Sequence, residues 1–301
     1  MRRMSNRETF AVPRSSRIVA AMQQIILSNH AEERLRRLHG EREQRYQQAR
    51  LQHQQELRSY DEQLAALHRT YHEAFRRVRL FQGASAWWRH RALQKHGDPP
   101  PPLQEGPTME EQQWQAGAEG ERRLATELMA TLPGAAWTLI KGYQNRKGEI
   151  DYLLIGPAGV LALECTHLTG TILCTQDRWV RQKYDPAGAP ATQVPIVDRT
   201  GRSPSQQLND SAAVLMECLS RKGVGCELTR AVILTHDNVR LGAVEASTVH
   251  IILLSKVQPF LWEMCRTASS SISTQRIVEW VQEDHRDWEA RSRTEGTQPE
   301  G

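Results

Sequence analysis

From residue 31 to about residue 79 the chain has no proline and a single glycine, Gly40, and is built mainly of Glu, Gln, Arg, Leu and Ala. These residues lose little side-chain freedom in a helix, so the pattern predicts one long helix with a break near His39 and Gly40. Its second half places Leu57, Tyr60, Leu64, Leu67, Tyr71, Ala74, Val78 and Phe81 at alternating steps of three and four, the spacing of a coiled-coil seam. Carried backwards, the same phase lands on His53, Arg50, Tyr46 and Glu43, so the seam spans only about three to four heptads. The stripe has two outlets: a second copy of the chain, giving a homodimer, or the chain's own folded core.

The pattern changes at Gly97, Asp98 and the four prolines Pro99 to Pro102, where helix is forbidden and an extended segment follows. Beyond it, 109–130 reads as a helix. Runs of strand character occupy 137–143, 150–155, 160–166 and 171–176, with Trp179 and Val180 after a turn at Gln176, Asp177 and Arg178. Gly156-Pro157-Ala158-Gly159 has the composition of a hairpin connection. Residues 185–204 read as a loop and 205–219 as a helix with Leu208, Ala212, Leu215 and Leu219 on one face. Strands at 231–234 and 249–254, helices at 256–265 and 273–291, and a disordered polar tail complete the chain. The expected organisation is a helical arm with a basic end at 1–98, a proline-rich linker at 99–108, an α/β domain at 109–268, and a C-terminal helix with its tail at 269–301.

Composition adds less than distribution does. A mean hydropathy of -0.60 and 39% hydrophobic residues fit a folded domain joined to a polar extension. The net charge of +4 is mild, yet no acidic residue occurs from Ala74 to Gly97, where Arg76, Arg77, Arg79, Arg89, Arg91 and Lys95 are interleaved with Phe81, Trp87 and Trp88. That stretch is either a solvated helix end or a nucleic-acid patch that contacts phosphates and stacks on bases. The odd number of cysteines, without a CxxC pair or zinc-type histidine spacing, points to reduced thiols. No segment reaches the roughly 18 apolar residues of a membrane span, so the expectation is a cytoplasmic protein without a membrane partner. Of the tryptophans, Trp114, Trp137, Trp179, Trp262 and Trp280 fall on faces where core packing is the ordinary role.

Side chains two apart on a strand share a face, which pairs Glu149 with Asp151 and Glu164 with Thr166. A hairpin at 156–159 would bring Asp151 and Glu164 together within apolar runs. Carboxylates so placed either bind a hard divalent cation or pair with a nearby arginine or lysine.

The order of motifs resembles the nuclease-related domain, a branch of the metal-dependent PD-(D/E)XK nucleases. Gly117-Ala118-Glu119-Gly120-Glu121 is similar to its opening helix, and the run from Gly148 through Ile150-Asp151 to Gly159-Val160 to its core strand, turn and return strand. Glu164-Cys165-Thr166 falls where the family carries Glu-x-Lys, followed by Gly170, and Pro204-Ser205-Gln206-Gln207 resembles its Pro-x-x-Gln helix start. The resemblance implies a restriction-endonuclease-like α/β core with a mixed central sheet flanked by helices. It further implies a DNA endonuclease using Mg²⁺ or Mn²⁺ at Asp151 and Glu164, with the Cys165 carbonyl, Glu121 as accessory ligand and Gln207 in support. Thr166 departs from the pattern, because a neutral hydroxyl stands where an ammonium is expected; Lys141 or Lys147 could supply one instead. The alternatives are a degenerate nuclease-like DNA-binding protein and a coiled-coil adaptor.

Overall fold

The computed structural model describes residues 22–132, 134–184, 189–267 and 273–295; the basic start of the chain and the expected polar tail beyond 295 lie outside them. Two compact units emerge, one from Ala31 to Gln115 and one assembled from the residues before and after it.

The first unit is helical. The predicted break near Gly40 does not occur: α1 runs unbroken over His30–Arg76, 47 residues, since one interior glycine costs only about 1 kcal/mol among good helix formers. At its end Arg79 N–H bonds to the Ala74 carbonyl and Val78 N–H to that of Phe75, with Val78 at φ 58°. This is the bonding pattern of a Schellman cap, and it turns the chain into α2, Leu80–His96. The two helices run antiparallel: the Tyr60 hydroxyl donates to the Leu93 carbonyl at 3.1 Å, the rings of Tyr71 and His90 are 5.6 Å apart, and Gly83 is small enough to meet the Phe75 ring. Part of the stripe is thus met within the chain: Tyr60 and Tyr71 contact α2, its positions from Leu57 to Tyr71 are half-buried and Ala74 is buried, and Val78 and Phe81 leave it at the turn. Nothing in this packing calls for a homodimer.

The proline-rich segment runs back along the first half of α1, held by Glu105 near Arg45, and Glu111 against Arg42 at 3.2 Å. Thr108 and Glu111 exchange side-chain and backbone bonds, a capping box that starts α3, Met109–Thr131.

In the second unit a six-stranded sheet has the order β1-β2-β3-β4-β8-β10. Its strands are Gln23–Ile26, Thr138–Asn145, Gly148–Gly156, Gly159–Thr166, Leu228–Leu234 and His250–Leu253. Strands β2, β3 and β4 form an antiparallel meander; β1, β8 and β10 join in parallel. The 156–159 turn makes the expected hairpin. A second mixed sheet, β7-β6-β5-β9, uses Pro190–Pro195, Arg178–Tyr184, Gly170–Thr175 and Val239–Glu245. The expected loop at 185–204 thus contains an edge strand, β7, where proline is tolerated because no inner neighbour needs its N–H.

Helices cover both faces of the larger sheet. Ile140, Leu153 and Val232 pack with Leu208 and Leu215 of α4, Pro204–Arg221, and with Ile277 and Val281 of α6, Thr274–Glu295. Leu139, Leu154 and Ile233 pack with Leu124 and Leu128 of α3 and Leu261 of α5, Val257–Thr267. Trp137 and Trp179 are core residues as expected, whereas Trp262 is 57% exposed, on the outer side of α5.

Candidate active site

The β3–β4 ladder is regular from Gly156 opposite Gly159 to Tyr152 opposite Leu163. One step further Asp151 would face Glu164, and there the ladder is replaced: Cys165 N–H donates to Asp151 Oδ2 at 2.7 Å. The side chain of Asp151 takes up a backbone donor of the neighbouring strand, which fixes its position beside Glu164. On β4, Leu161 and Leu163 face α3 while Val160 and Ala162 face α4. By alternation Glu164 and Thr166 project to the α4 side and Cys165 to the α3 side.

Both carboxylates are held well above the ordinary range. For Asp151 the main cause is burial, followed by the charges of Glu121 and Glu149, against the Cys165 N–H and Lys141. For Glu164 burial again leads, followed by Asp151, Glu149 and Glu121, against Arg202. Each residue keeps a part-exposed edge, but Oε2 of Glu164 is out of solvent and has no hydrogen-bond partner among the described residues. Four carboxylates of one sign therefore act on each other at the end of this hairpin.

Two cations answer them. Lys141 lies on β2 opposite Tyr152, is 8% exposed, and places Nζ 3.0 Å from Glu121. Arg202 is held by Asp198 at 3.0 Å and by the Lys147 carbonyl at 3.0 Å. Gln207 donates to the Arg202 carbonyl at 3.2 Å, and the Ser203–Gln206 capping box starts α4 directly after it. Gln207 thus supports the segment that carries Arg202. Lys147 itself is exposed in the β2–β3 turn. Arg202 belongs to no motif in the sequence, and Glu149, bonded by Ser28 at 2.9 Å, is legible only as a residue sharing the Asp151 face.

Glu121 reaches this place because α3 lies against the ends of β4 and β8. A Cβ on Gly120 would come within 2.7 Å of Thr235 Oγ1, 2.8 Å of His167 Cβ and 3.1 Å of Cys165 Sγ. Among the described residues a Cβ on Gly117 would meet nothing within 4 Å. Of the two glycines in the opening helix, only Gly120 is required by packing. His167 turns to this α3 side, bonded to Thr235 Oγ1 at 3.0 Å. Thr166 is buried, and its carbonyl accepts from Thr235 N–H at 3.0 Å.

The donor set suits a hard cation. Mg²⁺ is commonly held by one or two carboxylates with waters filling the rest, and an orphaned carboxylate oxygen beside a second raised carboxyl offers that pair. Among the described residues no three Asp, Glu, His or Cys side chains close on one centre at ligand distance; Glu121 is turned to Lys141 instead. The basic residues Arg76, Arg77, Arg79, Arg89, Arg91 and Lys95 all belong to the helical unit, at the α1–α2 turn and along α2.

Residues 116–235 match the family model of the nuclease-related domain. Neither a curated protein nor a solved structure matches the chain.

Proposed function

Residues 116–235 belong to the nuclease-related domain family, a placement consistent with the PD-(D/E)XK superfamily, and from this we propose that the end of the β3–β4 hairpin hydrolyses DNA phosphodiester bonds, with Lys141 in the role that position 166 lacks. The observation that carries the reading is the ammonium of Lys141, buried on the strand next to Asp151 and fixed by Glu121 at 3.0 Å. Asp151 and Glu164 would hold Mg²⁺ or Mn²⁺. A divalent cation held there supplies Lewis-acid charge to a phosphate oxygen and to the attacking water.

The remaining work falls to the chain's own residues. Lys141 presents donors toward the attacking water and stabilises charge as it develops. Glu121 is a positioning residue for that ammonium, and it becomes an accessory ligand only by exchanging its partner. Arg202, held by Asp198 and backed by Gln207, brings a second positive charge toward the Glu164 side, suited to a phosphate oxygen. Preorganised donors of this kind contribute about 10² to 10³ in rate. Thr166 contributes no charge.

Plasmid nicking with Mg²⁺ and Mn²⁺ tests the assignment. Lys141→Ala should remove activity while Lys147→Ala leaves it, and Thr166→Lys should change it little. Full activity in Lys141→Ala would end the role given to Lys141. Thr166 favours a second reading, a nucleic-acid-binding domain without turnover, and that reading takes over if neither the wild type nor Thr166→Lys cuts DNA or RNA.

A further inference from the structure

The turn between α1 and α2 is built against its own stability. Position 78 is the left-handed residue of the Schellman cap, the place where glycine is ordinarily found because a Cβ is strained there. It holds a β-branched valine at φ 58°, and that side chain is 76% exposed. It therefore gains nothing by packing within the arm. Beside it Leu80 is 60% and Phe81 95% exposed, and Trp88, two turns further along α2, is 66% exposed. Apolar side chains thus crown the tip of a helical hairpin. Arg76, Arg77 and Arg79 occupy the same turn, Arg89 and Arg91 follow along α2, and no acidic residue intervenes from Ala74 to Gly97.

We propose that this tip docks on an anionic lipid bilayer, inserting Val78, Leu80 and Phe81 at the level of the headgroups while the surrounding arginines contact lipid phosphates. Aliphatic and aromatic side chains ringed by cations match such an interface, where both kinds of group find their partners at one depth. The bilayer fits better than nucleic acid because Val78 and Leu80 have no π face for a base to stack on and no donor for a base edge. It fits better than a second copy because two such tips would bring their arginines together. Among the described residues no helix is long and apolar enough to cross a membrane, and docking by a tip needs none. The inference is independent of the chemistry at Asp151 and Glu164.

The test is co-sedimentation of the full chain with phosphatidylcholine vesicles, with and without phosphatidylserine, read together with tryptophan emission. Binding should be at least about tenfold stronger to the anionic vesicles, with a blue shift of emission. Leu80→Gln combined with Phe81→Gln should lower binding by about tenfold or more while circular dichroism stays unchanged. Val78→Gly is the discriminating variant: it should raise the thermal stability of the arm and still weaken vesicle binding. Each arginine of the turn changed to glutamine should cost about fivefold on anionic vesicles and little on neutral ones. The proposal fails if anionic vesicles do not bind, or if the apolar variants bind them as the wild type does. It fails equally if a single-stranded oligonucleotide binds through the tip in place of vesicles, or if the tip variants abolish self-association instead.

Discussion

At the end of the β3–β4 hairpin, Asp151 and Glu164 are held largely out of water beside two further carboxylates. At the tip of the α1–α2 hairpin, Val78, Leu80 and Phe81 stand in water among arginines. One region buries charge and the other exposes apolar surface, so each departs from the ordinary partition in the opposite sense. The departures also differ in what sustains them. Around Asp151 the surrounding structure is closely packed: a strand N–H bonds Asp151, Lys141 is buried against Glu121, and α3 is pressed down at Gly120. At the tip the fold sustains nothing, since replacing Val78 by glycine would relieve the backbone. Buried charge needs a scaffold that prevents its escape to water, whereas exposed apolar side chains need only the absence of a cover.

Removing the charge is the strongest way to break the first half of this comparison. Asp151→Ala or Glu164→Ala should abolish calorimetric Mn²⁺ binding, and DNA cleavage should fall by about 10³ or more; unchanged binding in both variants would show that the pair holds no cation. Next in size, Lys141→Ala should cost about 10² to 10³ in rate while leaving Mn²⁺ affinity equal or higher, because it removes a like charge from the site. Separate measurements of affinity and rate distinguish that outcome from simple loss of the site.

A smaller effect should appear in stability. Both carboxyls have folded-state pKa values above their unfolded ones, so the folded protein binds more protons between the two. The destabilisation they cause is absent below the unfolded pKa, near 4, and grows as pH rises through the raised values. Asp151→Asn should therefore raise the melting temperature of the cation-free protein at neutral pH, by roughly 2–4 °C for about 1 kcal/mol, and flatten its dependence on pH. A variant that melts lower at neutral pH than the wild type would mean the carboxylate is stabilising where it stands. Gly120→Ala should lose about 1–3 kcal/mol from overpacking against Thr235 and His167, and cleavage should drop as Glu121 is lifted from Lys141. In the arm, Leu64→Glu with Leu67→Glu should reduce helix content without altering the sedimentation coefficient of a monomer, since the stripe they occupy faces α2. A shift from dimer to monomer would restore the stripe to a role between chains.

Much of the α/β core could be read from the chain because its signals are local. Alternating apolar runs ended by Gly156-Pro157-Ala158-Gly159 and by Gln176-Asp177-Arg178 set the hairpins, and a period of two then requires Glu164 and Thr166 to share a face. What escaped reading was non-local. β1, Gln23–Ile26, is a short polar-flanked run that becomes a strand only because β2 offers it an edge, and β9, Val239–Glu245, owes its place to β5. The edge strand β7 is hidden by its prolines. The stripe at 57–81 announced a partner helix but could not name it, since steps of three and four are satisfied equally by a second copy or by α2.

By itself the sequence determined which groups are available: the acidic residues on β3 and β4, the threonine at the position where the resemblance leads one to expect lysine, and the arginines without counter-charge before Gly97. Those depend on residue identity and on spacing within one strand or helix. Only the tertiary structure decided that Lys141, ten residues before Asp151 in the chain, is the buried ammonium beside it and Lys147 is not. It likewise held Arg202 on Asp198 and the Lys147 carbonyl, where its charge acts on Glu164, and set Tyr60 and Tyr71 of the heptad stripe against α2. Strand order, helix docking and hairpin return set distances between residues far apart in sequence, and no local propensity encodes them.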